Sequence, residues 1–151
     1  MISLFVLALM MQTAQDRHHA DVSRRGEAVM GFDQRTTTHH FRITADGGEI
    51  DVAANDAADT ATIEQIRGHL KHIASMFAGG DFTAPMLIHA QEPPGVKTMK
   101  KMGNRISYAF EATERGGVVR ISSSSSKARD AIHEFLRFQI KDHATGDPQH
   151  S

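Results

Sequence analysis

The sequence predicts an α+β fold in which two ββα repeats form a four-stranded antiparallel sheet with two helices packed on one face. Three observations carry this expectation. Two segments alternate apolar and polar residues about a glycine-containing turn. Each is followed by apolar residues at helical spacing. The second set copies the first at a nearly constant offset.

The chain opens on ten apolar residues, 2–11, ISLFVLALMM. A membrane-spanning helix needs about 20 such residues, so this run is too short to span. It fits the apolar centre of a signal peptide over residues 1–14, which predicts an exported protein, periplasmic or secreted, with no stable membrane insertion after removal of the signal. Residues 15–34 then read as a polar lead-in to one domain over 35–148.

The first hairpin occupies residues 39–54, with Phe41 and Ile43 alternating on one arm and Ile50 and Val52 on the other. Asp46-Gly47 is a favoured two-residue turn, and it predicts Ile43 opposite Ile50 and Phe41 opposite Val52. The second hairpin, 107–122, predicts an Arg115-Gly116 loop with Phe110 opposite Ile121 and Ala112 opposite Val119. A shift of 69 residues carries Phe41 onto Phe110, Thr44 onto Thr113 and Gly47-Gly48 onto Gly116-Gly117.

Ile63, Ile66, Leu70, Ile73 and Phe77 predict a helix over 58–78, and Ala128, Ile132, Phe135, Leu136 and Ile140 one over 126–143. A shift of 66 aligns Ile66 with Ile132, Leu70 with Leu136 and Gly80-Asp81 with Gly146-Asp147. The glycines stand where helices commonly end in a left-handed residue. The repeat units are therefore 37–82 and 105–148. The connector 83–104 contains Pro85, Pro93-Pro94 and Gly95, and its stretch Val96–Met102 suits one or two helical turns. The serines at 122–126 suit the cap of the second helix. Outward positions His40, Arg42, Glu49, Asp51, Glu111 and Arg120 give the sheet a mixed-charge outer face.

Composition limits the chemistry. The 151 residues carry 17 basic and 18 acidic side chains, a balance that argues against a generic nucleic-acid binder. The absence of cysteine removes disulfides, thiolate metal sites and thiol nucleophiles, while ten histidines and eight methionines leave imidazole and thioether in supply. Five methionines, at 30, 76, 86, 99 and 102, lie beyond the signal segment.

The repeats differ where chemistry is possible. His69 and His72 stand three apart on the first helix, and a 100° wheel brings Met76 to the same flank. The matching residues of the second helix are Phe135 and Phe138. His39 shares strand parity with Phe41, points towards the helices, and replaces Tyr108 of the second unit. His89 is a further imidazole in the connector, and His143 suits the dipole at a helix C-terminus. Imidazole with thioether suits copper, and imidazole with carboxylate suits zinc.

The expected function is transition-metal binding, copper first and zinc second, in a handling or sensing role, with His39, His69, His72 and Met76 as ligands. One alternative is a metal-dependent hydrolase on the same site, with Glu64 or Asp51 as base. The other is a structural or ligand-binding homodimer without metal. No nucleophile elbow, phosphate-binding glycine loop or dinucleotide fingerprint is present.

Overall fold

Alternation along the strands sets the architecture. The structure, a computed structural model, describes residues 4–151. Its elements are α1 (Leu4–Met30), β1 (Thr37–Thr44), β2 (Gly47–Ala54), α2 (Thr60–Ala78), α3 (Thr83–His89), α4 (Val96–Met102), β3 (Ser107–Thr113), β4 (Gly116–Ser122) and α5 (Ser126–Asp142). The four strands form one antiparallel sheet in the order β1-β2-β4-β3. With five α-helices among the described residues beside that sheet, the fold is α+β.

One row of partners runs Phe41, Ile50, Val119, Phe110 across all four strands, and every member faces the core. The neighbouring row, Arg42, Glu49, Arg120, faces outward as expected. There Arg42 pairs with Asp51 at 2.7 Å, and Arg120 bridges Glu49 and Glu111. Such exposed pairs contribute little stability, and their value is a soluble outer face.

Helix α2 lies against β3 and β4, and α5 lies against β1 and β2. Each helix thus packs on the hairpin that it does not follow in the chain. Each also grips that hairpin's turn: Arg67 of α2 donates to the Thr113 carbonyl at 2.6 Å and the Gly116 carbonyl at 3.2 Å, and His133 Nε2 of α5 donates to the Thr44 carbonyl at 2.9 Å. Asp59 and Ser125 cap the two helices through their side chains. Gly80 (φ 79°) and Gly146 (φ 73°) follow them in the left-handed region.

Both hairpins correct the expected register. The turns are Ala45-Asp46 and Glu114-Arg115, one residue earlier than expected, so Ile43 faces Gly48 rather than Ile50, and Phe110 faces Val119 rather than Ile121. The reason lies in the central pair β2–β4. A β-carbon on Gly47 would stand 2.0 Å from the Ile121 carbonyl oxygen, and one on Gly116 would stand 2.0 Å from that of Val52. These glycines begin strands instead of closing turns. Because the slip is two residues, every side chain keeps its expected face.

Two helices depart from the expected loops. Residues 16–30 of the polar lead-in continue α1, which packs against α3 and buries Val22 and Gly26. Val22 is 1% exposed, and Arg25 Nε donates to the Ile88 carbonyl at 2.7 Å. The beginning of the expected signal segment lies outside the described residues. Met10 and Met11 are 65% and 69% exposed, and among the described residues no helix is long and apolar enough to cross a membrane. The connector forms α3 as well as the expected α4. Pro85 sits in the first turn of α3, where a missing N–H costs no helical hydrogen bond.

Candidate functional site

The phase of α2 decides what its histidines can reach. Ile63, Ile66, Leu70, Ile73 and Phe77 turn into the core. The adjoining flank, towards α1 and α3, carries His69, His72 and Met76 along a groove of about 200 Å³. Val29, Thr83, Ala84 and Leu87 form its other walls. Three of the four expected ligands therefore share one groove.

His39 does not line it. It sits on β1 facing inward, and the Phe32 ring packs against both it and His69: ring centroids are 6.1 Å apart for Phe32 and His39, and 5.7 Å for Phe32 and His69. His39 and His69 instead meet at a second space, a cavity of about 60 Å³ that His143 and Gln139 also line. Its remaining walls are apolar, among them Ile50, Ile73, Ile88 and Phe135. His69 belongs to both spaces. Among the described residues, no three His, Asp or Glu side chains converge as a ready-made metal cage.

The buried rings of His39, His69 and His143 are held neutral at physiological pH. Burial, followed by the nearby His69 and His40, depresses His39 to about 4. Burial and then His72 depress His69 to about 4, and burial with His89 and His39 depresses His143 to about 3. A neutral ring keeps a lone pair for a metal or a hydrogen-bond donor.

The imidazole cluster extends beyond the residues expected from sequence. His143, the residue capping α5, stacks nearly parallel to His39 at 6.2 Å between centroids and meets His89 edge-on at 5.0 Å. His89 has a fully buried side chain that hydrogen-bonds through Nδ1 to Asp142 and through Nε2 to Gln139 Oε1 at 2.8 Å. The other carboxylate oxygen of Asp142 lies 2.5 Å from His18 Nε2 on α1. Burial raises the Asp142 pKa, but the hydrogen bonds from His18 and His89 outweigh it and leave the carboxyl below its ordinary value. The i, i+3, i+4 spacing of Gln139, Asp142 and His143 was the available sequence signal for this group. Their distant partners on α1 and α3 had none.

Other histidines and the proposed bases lie elsewhere. His40 faces outward and pairs with Asp147 at 2.8 Å. Asp51 pairs with Arg42 on that same outer face, while Glu64 pairs with Arg67 at 2.7 Å. Neither carboxylate lines the groove or the cavity. No protein-family model, no curated protein and no solved structure matches the chain significantly.

Proposed function

We propose that the protein binds a transition-metal ion, copper first and zinc second, in a handling or sensing role, through His69, His72 and Met76. The observation that carries this reading is the shared groove of those three side chains on one face of α2. Two imidazole nitrogens and a thioether form a donor set that favours Cu(I), which accepts low coordination numbers and soft ligands. His39 is the fourth expected ligand, and it borders the neighbouring cavity together with His69. We read the chain as two ββα units, of which only the first exchanged aromatic residues for imidazoles, at 39, 69 and 72.

Titration of untagged protein with Cu(I) against a chromogenic chelator tests the site. One ion per chain is expected, with a loss on the order of 100-fold or more in the His69→Ala/His72→Ala double variant, beyond what changes to the residues supporting the ligands produce. Met76→Leu is expected to weaken Cu(I) more than Zn(II), since only the softer ion prefers sulfur. Undiminished affinity in the double variant would remove the ion from this groove.

We further propose export to the periplasm or the medium, with a mature chain beginning near Gln15. Exposure of the side chains from Met10 to His18 supports this reading, because a cut near Gln15 falls within a stretch open to solvent. A chain starting at residue 15 is expected to melt within about 2 °C of the full chain, as surface changes cost at most about 0.5 kcal/mol. A larger fall in Tm would mean that the first 14 residues support the fold.

A further inference from the structure

We propose that the cavity between the sheet, α2, α3 and α5 binds a small neutral molecule carrying one hydroxyl group, of the class of the short-chain alcohols. This inference is independent of the metal reading, although His69 borders both sites.

The starting observation concerns satisfaction of hydrogen bonds. Among the described residues, two buried side-chain polar atoms have no partner: Nε2 of His39 and Nε2 of Gln139. Both residues line this one cavity. Gln139 is only 4% exposed, and its Oε1 is already engaged by His89, so its amide nitrogen is the group left over. Buried polar groups are almost always paired, and a pair of exceptions bordering the same space points to an occupant.

Size, charge and polarity then narrow the occupant. One water needs at least about 10–15 Å³ of such space, and benzene occupies an engineered cavity of about 150 Å³. A cavity of about 60 Å³ therefore suits a molecule of a few heavy atoms. No Asp, Glu, Lys or Arg lines it, so an ion would be buried without a counter-charge. A hydroxyl oxygen accepts the Gln139 N–H, and its rotatable proton lets it either donate to His39 Nε2 or accept from it. A hydroxyl thus satisfies both tautomers of His39, whereas a carbonyl serves only one. An alkyl body of two to four carbons, an extent set by the cavity size, would cover Ile50, Ile73, Ile88 and Phe135. Water could pair with the two nitrogens but would leave that apolar wall wet.

The test is NMR titration of the full, chelator-treated chain with 1-propanol, using xenon as an apolar probe and 1-hexanol as an oversized one. Saturable shifts of the Ile50, Ile73 and Ile88 methyls together with the Gln139 side-chain amide are expected, at about millimolar midpoint for so small a ligand. Ala84→Leu, which fills the cavity from its wall, is expected to abolish them. Gln139→Leu is expected to weaken binding about 10-fold through loss of one buried hydrogen bond. Should Gln139→Leu fail to fold, His39→Phe removes the other anchor and is expected to weaken binding similarly. Xenon shifting the methyls while 1-propanol does not would overturn the proposal in favour of a plain apolar void. Binding of 1-hexanol as tight as that of 1-propanol, or no response to 1-propanol, would overturn it too.

Discussion

Between pH 7.5 and pH 5 the protein is expected to lose roughly 3–6 kcal/mol of stability, equivalent to a fall of roughly 10–20 °C in Tm. The source is the buried imidazole group. In the folded protein His39 and His69 titrate near 4 and His143 near 3, against an ordinary value of 6.5. Each ring is therefore neutral when folded and takes up a proton on unfolding in this window. The unfolded chain binds more protons, so stability rises with pH. It is complete above about 6.5, falls as pH drops through 4, and the histidine contribution levels off below about 3. At pH 5 three such rings would cost about 6 kcal/mol if wholly dry, and water reaching their rims lowers this. Asp142 and Asp147, both held below the ordinary carboxylate range, continue the loss at still lower pH. Calorimetry across pH 4–8 measures the slope, and His39→Tyr, which installs the residue type of position 108, is expected to flatten it. A Tm that does not change between pH 7.5 and pH 5 would show that these rings are not buried as neutral groups.

A methyl group at either end of the central strand pair is expected to be damaging on a similar scale. Gly47→Ala and Gly116→Ala each place a β-carbon 2.0 Å from a backbone carbonyl oxygen, of Ile121 and Val52 respectively. Backbone in the middle of a sheet cannot step aside as a flexible side chain can. The cost is expected to exceed about 3 kcal/mol, the upper end of ordinary overpacking. Gly68 provides the control: it lies on the exposed side of α2 with nothing near an added β-carbon. Gly68→Ala is expected to stabilise by about 0.5–1 kcal/mol through helix propensity alone. Chemical denaturation of the three variants measures the contrast. Near-native stability of Gly116→Ala would mean that β2 and β4 separate more readily than their register implies.

The core was legible because it rests on periodicity. Phe41, Ile50, Val119 and the α2 stripe all face inward as their spacing requires. Turn position was not legible, because Asp46-Gly47 carries a strong local turn preference that a tertiary contact overrides. What decides it is the closeness of β2 to β4, and no short window of sequence encodes that distance. Helix α1 was not legible for a related reason: Val22 and Val29 make a stripe too thin to stand out from polar surroundings, and it becomes meaningful only once α3 packs against the helix. The candidate site divides along the same line. His69, His72 and Met76 share a groove because they share a helix, whereas His39 faces His143, contributed by a residue 104 positions away. Local spacing locates neighbours on one element and is silent about the wall opposite.

The placement of each helix on the other half's hairpin has a kinetic consequence. Each half lacks most of the strand surface that its own helix covers, so neither can complete its fold and wait for the other. The connector must close before the apolar stripe of α2 or α5 finds its hairpin, and the entropy of that closure falls on the folding barrier. The molecule should therefore assemble in one cooperative step, with its slow event the meeting of the halves. The same arrangement lets an opened chain offer its helix to the hairpin of a second copy, so at high concentration its characteristic misassembly is an exchanged dimer.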